Sequence, residues 1–365
     1  WTDAVLAERI QDRLRGIEQR LREAVSQADP ILDQAARHLV NAGGKRLRPV
    51  LTMLTAHLGD PDRPEVLEAA VATEMIHLAT LYHDDVMDSA PMRRGAPSVH
   101  EVWGNTVAIL IGDVLLARAS GLVAGLGPAA AQIQAKTFER LCLGQLRETL
   151  GPGPGDDPVD HYLQVLSDKT ASLIATSARY GAMFSGCDDD IIAMVTGYGE
   201  KAGVAFQLSD DVIDLVSDPA VTGKTPGTDL REQVATMPVL LLRDLVARGQ
   251  GSAEDVETVA MLDSGLTEDG EVDLVVGRVV IAADDQAPAA LPAGVGVGEK
   301  SLVKIELVLQ PLGAHLAVGE IHVEEQEAAE VHFDDPALGV EALFADPVAH
   351  PGRRHPAVGP HAAVA

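Results

Sequence analysis

The chain has 365 residues, enough for one large domain or two ordinary ones, and 46% of them are hydrophobic whereas only 3% are aromatic. Its formal net charge of −27 disfavours binding to nucleic acid or anionic lipid, so an anionic ligand would need a local cationic cluster or a metal ion. Cys142 and Cys187 form no disulfide or zinc pattern, and we recognise neither a signal peptide nor an apolar run long enough to span a bilayer; together these features predict a cytoplasmic protein without stable membrane insertion.

The first 250 residues have the pattern of successive helices. Leu6, Ile10, Leu14, Ile17 and Leu21 recur at three- and four-residue spacing, which marks one helix face. Further apolar-periodic segments lie near 64–88, 100–125, 129–150, 158–185 and 188–217, with Pro and Gly between several of them. The pattern predicts an all-α bundle with short connections.

The composition changes after about residue 270. Residues 281–365 contain no Met, Trp, Tyr or Cys, and SLVKIELVLQ (301–310) alternates as a strand does. We therefore divide the chain into a helical domain, 1–270, and an atypical tail, 271–365. The tail is interpreted as disordered or as the product of a reading-frame change, with a small β-type appendage or interaction module as the alternative.

An acidic cluster, HDDVMD, follows the apolar run that ends near residue 82. On a helix Asp84 and Asp88 are four residues apart, so both carboxylates point the same way and repel each other unless a cation lies between them. A solvated acidic helix end explains one such cluster equally well. His77 lies two helical turns before Asp84 on the same face, where it is either a ligand-binding residue or an ordinary core histidine.

A second cluster, FQLSDDVIDLVSD (206–218), repeats the pattern with Asp210, Asp211 and Asp214. Two such clusters could face each other across a bundle interior, where carboxylates on facing helices commonly build metal sites. An all-oxygen site suits Mg²⁺, which takes one or two carboxylates together with substrate phosphates. The two clusters therefore predict Mg²⁺ ions that bridge to a polyphosphate.

Cationic residues accompany these clusters. AGGKRLRP (42–49) places Lys45, Arg46 and Arg48 after a glycine pair that permits a tight turn. Arg93 and Arg94 follow the first acidic cluster. Lys169, Thr170 and Lys224 add further donors, so the set favours a diphosphate site over a generic basic patch.

GGKRLRP, HxxxLxHDDxxD followed by RRG, KT, FQxxDDxxD and GK occur in this order, and their combination resembles the trans-isoprenyl diphosphate synthases, or polyprenyl synthetases, over roughly residues 5–270. The resemblance implies an isoprenoid synthase-type helical bundle around a central cavity, usually a homodimer. It implies a prenyltransferase that condenses isopentenyl diphosphate head-to-tail with an allylic diphosphate, of the medium- or long-chain type.

The resemblance also implies a role for each matching residue. Isopentenyl diphosphate would be bound by Lys45, Arg48, His77 and Arg94. A cluster of about three Mg²⁺ ions would be ligated by Asp84, Asp88, Asp210 and Asp214, with Asp85 and Asp211 as further ligands or supports. The allylic diphosphate would be bound by Arg93, Lys169 and Lys224, and Thr170 and Gln207 would lie against the reacting carbons. The catalytic set is then Asp84, Asp85, Asp88, Arg93, Lys169, Thr170, Gln207, Asp210, Asp211 and Lys224.

In this family, side chains just before the first acidic cluster line the growing chain. Ala79 and Thr80 are small, so the resemblance implies an open cavity and a product of geranylgeranyl length or longer, in the hexaprenyl to nonaprenyl range. A geranylgeranyl synthase and a non-catalytic subunit of a heteromeric synthase are the alternatives, although such subunits tend to lose the aspartates that this chain keeps. A terpene cyclase also uses DDxxD but typically lacks GGKRxRP.

Overall fold

The computed structural model describes residues 4–216, 227–231, 234–266 and 269–285, together with strand residues 306–309, 314–317, 321–322 and 330–331. In chain order the helices are α1 Ala4–Val25, α2 Pro30–Asn41, α3 Leu47–Ala56, α4 Pro64–Met87, α5 Val99–Trp103, α6 Asn105–Gly125, α7 Pro128–Leu150, α8 Pro158–Leu166, α9 Ser172–Ser185, α10 Asp189–Val216, α11 Thr228–Arg231, α12 Met237–Ala247, α13 Ala253–Ser264 and α14 Asp269–Asp285. A π-helical segment, Ser167–Ala171, joins α8 to α9, and β1 Met92–Arg93 pairs with β2 Ala96–Pro97 in a short hairpin. The predicted all-α class is confirmed.

Helix α4 is the central element of the bundle. It packs against α3, α6 and α9, and fully buried side chains at consecutive positions, such as Ala70, Val71 and Ala72, lie on several of its faces. A helix that is apolar nearly all round is a core helix. Its last turns lead from this core to the exposed C-cap Asp88 and hold the first acidic cluster.

Two helices begin at an aspartate N-cap followed by a proline. Asp29 caps α2 by accepting from the N–H groups of Ile31 and Leu32, at 2.9 and 3.1 Å, and Pro30 follows it in the first turn. Asp157 and Pro158 repeat this arrangement at α8. A side-chain acceptor at the N-cap and a proline in the first turn both leave fewer backbone donors unsatisfied, which defines where these helices begin.

Helix α6 corrects one expectation. With 21 residues and a mean hydropathy of 1.9 it is long and apolar enough to span a membrane, whereas the sequence was expected to contain no such run. In this fold its side chains Ile111, Leu115, Ala119 and Val123 are buried. Packing in the core accounts for their apolar character, and a single helix of this kind is weak support for a membrane span.

The chain divides into two compact units, Trp1–Ala290 and Leu291–Ala365. The predicted boundary at residue 270 falls at the start of α14, whose Val272, Val275 and Val279 are buried in a small core with α12. Their three- and four-residue spacing makes one helix face, so the helical unit extends past that boundary. In the second unit β3 Glu306–Leu309 pairs antiparallel with β4 Ala314–Ala317, and β5 Ile321–His322 pairs with β6 Glu330–Val331.

Candidate active site

The C-terminal end of α4 carries the first acidic cluster. His77, Thr80, Asp84 and Asp88 share one face by their spacing; Asp84 is partly buried, and Asp88, the C-cap, is exposed. Burial, together with the negative charges of Asp88 and Glu148, raises the pKa of Asp84 to about 6, although Lys169 and Arg93 oppose this shift. Burial also raises the pKa of Asp88. A bound cation would relieve both the burial cost and the mutual repulsion.

Asp85 points the other way. It is only 2% exposed and accepts a hydrogen bond from Arg93 Nε at 2.6 Å, while its Oδ2 has no hydrogen-bond partner. Arg93 lies on β1, so this ion pair fastens the hairpin to the end of α4. The orphaned Oδ2 is one carboxylate oxygen that an added donor or cation could satisfy.

Arg46 and Arg94, two further residues of the predicted cationic set, are also held by structural partners. Arg46 is 6% exposed, pairs with Glu18 and with Glu74 at 3.0 Å, and donates to Val40 O at 3.1 Å. Arg94 donates to Leu39 O at 3.1 Å and to Gly43 O. A Cβ on Gly44, whose φ is +138°, would lie 2.7 Å from Arg94 Cζ. The backbone conformation therefore favours glycine there, and a larger residue would also displace the Arg94 guanidinium.

Arg48 and His77 form the electropositive part of the site. Arg48 Nε is buried and has no hydrogen-bond partner, and burial lowers the pKa of Arg48 to about 10. Burial and the nearby charges of Arg48 and Arg94 hold the pKa of His77 well below its usual value, so its imidazole is neutral at neutral pH. Lys45 is exposed beside them. A guanidinium with a buried, unpartnered Nε near a neutral ring is suited to an anionic ligand.

The π-helical segment presents Lys169 and Thr170. Short π-helices often occur at functional sites, and here Asp168, which is 5% exposed, anchors the segment. Asp168 accepts from Arg140 Nε at 2.8 Å, from Gln164 Nε2 at 2.9 Å and from Arg147. These bonds tie the segment to α7 and α8.

Two glycines allow this segment to pack closely between neighbouring helices. A Cβ on Gly144 of α7 would lie 2.6 Å from Lys169 N, and a Cβ on Gly203 of α10 would lie 2.5 Å from Ala171 Cα. Real Cβ atoms essentially never approach backbone so closely. The positions of Lys169 and Thr170 therefore depend on glycine at positions 144 and 203, where any larger residue would push the backbones apart.

Lys169 and Thr170 connect the two acidic clusters. Lys169 forms an ion pair with Glu148, and its charge lowers the pKa values of both Asp84 and Asp88. Thr170 Oγ1 donates to Gln207 Oε1 at 3.3 Å, one turn before Asp211 on α10. The segment thus lies within electrostatic reach of the first cluster and in contact with the helix of the second.

In the second cluster Asp210 is exposed, whereas Asp211 is 2% exposed. Asp211 accepts from Tyr162 OH at 2.8 Å, from Met237 N at 3.4 Å and from Gln207 Nε2 at 3.5 Å. Asp214 accepts from Asp229 N at 3.1 Å. Lys224, predicted to bind the allylic diphosphate, lies outside the described residues.

The two predicted chain-length residues differ in environment. Ala79 is 0% exposed in the main core. Thr80 is partly buried on the face shared with His77 and Asp84, and its hydroxyl donates to His77 O at 2.8 Å. Of the two, only Thr80 lies on the face of the acidic cluster.

The donor set fits Mg²⁺ held jointly with a substrate. Within the described ranges no three His, Cys, Asp or Glu side chains converge closely enough to hold a metal ion alone. Mg²⁺ usually binds one or two carboxylates and completes its shell with water and phosphate oxygens. The exposed carboxylates of Asp88 and Asp210, the raised pKa of Asp84 and the orphaned Asp85 oxygen suit such sharing.

Sequence reasoning missed several residues that build the site. Glu148 pairs with Lys169, Tyr162 bonds Asp211, and Glu74 lies among the arginines with one oxygen, Oε2, unpartnered. Only Glu74 carries a local signal, since it precedes His77 by three residues on one helix face. Glu148 and Tyr162 are 21 and 49 residues from their partners.

Comparisons with known proteins agree with this geometry. A family model described as polyprenyl synthetase matches residues 29–257. The chain is 46% identical over 271 residues to nonaprenyl diphosphate synthase of Mycobacterium tuberculosis, covering 74% of this chain and 79% of that protein. It is 39% identical over 232 residues to heptaprenyl diphosphate synthase component 2 of Geobacillus stearothermophilus, covering 63% and 72%.

A solved structure, geranylgeranyl pyrophosphate synthase from Corynebacterium glutamicum complexed with calcium and isoprenyl diphosphate, matches with a TM-score of 0.67 at 39% identity, covering 78% of this chain and 87% of that one. Heptaprenyl diphosphate synthase from Staphylococcus aureus matches with a TM-score of 0.66 at 29% identity, covering 74% and 84%. Sequence and fold agree on one assignment: the chain belongs to the polyprenyl synthetase family of trans-isoprenyl diphosphate synthases, which are prenyltransferase enzymes.

Proposed function

We propose that this chain catalyses the Mg²⁺-dependent head-to-tail condensation of isopentenyl diphosphate with an allylic diphosphate to give an all-trans polyprenyl diphosphate. The observation that carries the proposal is the arrangement along one face of α4. There the buried, unpartnered Arg48 Nε lies near His77, while Asp84 and Asp88, two turns further on, lie within electrostatic reach of Lys169. This arrangement of α4, together with Arg48 of α3, supports a pocket for an anionic group next to an acidic pocket for metal ions.

The two pockets suit the two substrates. Lys45, Arg48 and the neutral ring of His77 would bind the diphosphate of isopentenyl diphosphate, with Arg94 held behind them by Leu39 O and Gly43 O. Asp84, Asp88, Asp210 and Asp214 would hold Mg²⁺, which when bound neutralises the charge of the departing allylic diphosphate. Arg93 and Lys169 would add direct donors to that diphosphate.

After the allylic C–O bond breaks, a carbocation must be shielded from water. Thr170 Oγ1 and the Gln207 side chain, already in contact with each other, would direct their dipoles at this cation. The double bond of isopentenyl diphosphate attacks the cation, and the proton lost afterwards passes to the released diphosphate. Preorganised dipoles of this kind lower the barrier without rearranging during the reaction.

The proposed product is in the hexaprenyl to nonaprenyl range. Thr80, on the face of the acidic cluster, is small enough to leave room for a long chain, and Ala79 adds no bulk behind it. The nonaprenyl and heptaprenyl names of two relatives support this range, whereas the geranylgeranyl synthases among the solved neighbours keep the shorter product as the alternative.

A product assay tests the proposal. Purified protein is incubated with Mg²⁺, labelled isopentenyl diphosphate and, separately, dimethylallyl, geranyl, farnesyl and geranylgeranyl diphosphates, and the products are resolved by chain length. A ladder ending at hexaprenyl or longer supports the proposal. A ladder ending at geranylgeranyl diphosphate supports the alternative, a geranylgeranyl diphosphate synthase. A cyclic hydrocarbon formed from one diphosphate indicates a terpene cyclase. If folded protein gives no product, the proposal that this chain is active by itself is refuted.

Matched variants sharpen this assay. Asp84→Asn removes a carboxylate from the metal pocket and should abolish the ladder, as should chelation of Mg²⁺. Asp113→Asn removes one from α6, where the mostly exposed Asp113 carboxylate lies 3.3 Å from His83 Nε2, and should leave activity near wild type. Equal losses in both variants would contradict the assignment of the metal pocket.

We also propose a cytoplasmic homodimer. Ile109 and Leu110 of α6, with Leu143 and Leu146 of α7, are 41–57% exposed on two helices that pack together. Apolar side chains that cluster on a surface commonly mark an interface. Light scattering after gel filtration should give twice the chain mass for the wild type and the mass of one chain for Leu110→Glu. Activity that appears only with a second subunit would instead indicate a heteromer, as the name of the component 2 relative suggests.

A further inference from the structure

Asp211 is the best-connected carboxylate of the second acidic cluster. Its helix, α10, also carries the exposed Asp210 and the partly buried Asp214, which are spaced to face the site. Asp211 is turned away from them into the protein and is 2% exposed. A buried carboxylate must be stabilised by donors, and the geometry of those donors determines which way it points.

Three elements supply the donors. Tyr162 OH of α8 donates to Oδ2 at 2.8 Å, and Met237 N, in the first turn of α12, donates to the same oxygen at 3.4 Å. Gln207 Nε2, one turn earlier on α10, donates to Oδ1 at 3.5 Å. The tyrosine bond is the shortest of the three by 0.6 Å or more, so it dominates the placement of this carboxylate.

The first cluster shows a parallel arrangement. Asp85 also follows an outward-facing aspartate, is 2% exposed, and bonds Arg93 of the neighbouring hairpin. In each DDxxD cluster the second carboxylate therefore turns inward and binds an adjacent element. In the second cluster those elements are α8, through Tyr162, and the N-terminus of α12; Asp214 also accepts a bond from Asp229 N of α11.

We propose that Tyr162 is a positioning residue for the allylic half of the site: by holding Asp211, it sets the orientation of Gln207 and the docking of α12 against α10. This inference rests on the proposed function. It assigns Tyr162 a role through Asp211 and Gln207, with no contact to substrate. It also predicts that the isopentenyl diphosphate pocket, built from α3 and α4, does not depend on Tyr162.

Tyr162→Phe removes one oxygen and keeps the ring in place. Tyr180→Phe is the matched control, because Tyr180 is also buried and its hydroxyl donates at 2.8 Å to a backbone oxygen, that of Ala130, away from these residues. Loss of a hydrogen bond to a charged acceptor should raise the KM for the allylic diphosphate about 10-fold. The KM for isopentenyl diphosphate should stay within about twofold, and Tyr180→Phe should change neither.

A readout without turnover accompanies the kinetics. Hydrogen–deuterium exchange of the metal-free proteins should show faster exchange at the start of α12, including the Met237 amide, in Tyr162→Phe but not in Tyr180→Phe. Both KM values rising together, or neither rising, overturns the proposal, as does unchanged exchange at Met237. Polyprenyl product from the wild-type protein tests the proposed function by itself. Failure of the proposed function can therefore be distinguished from failure of the positioning role of Tyr162.

The double variant Tyr162→Phe/Asp211→Asn provides a second test. If Tyr162 acts through Asp211, adding Tyr162→Phe to the Asp211→Asn variant should change the affinity for inorganic diphosphate plus Mg²⁺ by less than about twofold, because the charged acceptor is already gone. A full 10-fold effect in that variant would show that Tyr162 acts by another route. This binding measurement does not require turnover.

Discussion

Replacing Gly144 with alanine tests whether close packing of α7 positions the π-helical segment. The new Cβ would lie 2.6 Å from Lys169 N and 3.0 Å from Lys169 Cα, whereas ordinary contact begins near 3.4 Å. The two backbones must therefore separate by about 0.8 Å at this point. Because both contacts are to backbone, no side-chain rotation relieves them.

The expected effect on stability is small and that on activity is large. Overpacking of this kind costs about 1–3 kcal/mol, and alanine regains about 1 kcal/mol over glycine within a helix, so the free energy of unfolding should fall by about 0–2 kcal/mol. A displacement approaching 1 Å at catalytic groups can reduce the rate about 100-fold. We therefore expect kcat/KM to fall by about 10- to 100-fold while the protein remains folded.

Urea unfolding and steady-state turnover of the same preparation measure both quantities. Gly197→Ala on α10 is the control, because its Cβ would have nothing within 4 Å, so it should keep full activity and gain stability from helix propensity. Wild-type turnover in Gly144→Ala would refute the packing argument. Equal loss of turnover in both variants would show that any added methyl group disturbs the enzyme.

Four other predicted site residues can be tested by substitution. In metal-free protein, burial raises the pKa of Asp84 to about 6, so Asp84 contributes stability below pH 4 that is lost as the pH rises to 6. The free energy of unfolding of the wild type minus that of Asp84→Asn, both measured in urea, should decline over this range. A difference that does not change with pH contradicts this prediction. Thr80→Phe should shorten the product, read by chain-length analysis, whereas Ala79→Phe should mainly destabilise a fully buried position by about 1–3 kcal/mol; an unchanged ladder in Thr80→Phe contradicts the cavity assignment. Asp85→Asn should destabilise the fold by about 1–3 kcal/mol, because it replaces the buried carboxylate that pairs with Arg93 by a neutral amide. A free energy of unfolding equal to that of the wild type would contradict that anchoring role.

The helices and the common face of the first cluster could be predicted from sequence because both depend on local spacing. Segment 129–150 became α7 Pro128–Leu150, and 188–217 became α10 Asp189–Val216, each within one residue. His77, Asp84 and Asp88 fell on one face for the same reason. The spacing of residues along the chain determines which side chains share a helix face, so the helices and this face can be predicted from the sequence alone.

The sequence pattern could not predict which charged side chains are paired within the protein and which are left unpartnered. Arg46 and Arg48 are two residues apart, yet Arg46 is satisfied by Glu18 and Glu74 whereas Arg48 Nε is unpartnered. The inward turn of Asp211 depends on Tyr162, 49 residues away. Such pairings arise from tertiary packing, and neither composition nor local spacing contains them.

The π-helical segment fixes the phase between α8 and α9. An α-helix turns about 100° per residue, and a π turn accommodates one residue more than an α turn. Because the wider turn takes up the extra residue, deleting one residue from Ser167–Ala171 would convert the segment to a regular turn and keep α8 and α9 in phase. Tyr162 would still reach Asp211, whereas Lys169 and Thr170, which the segment presents, would lose their present positions. In this protein the length of the connection matters as much as its chemistry.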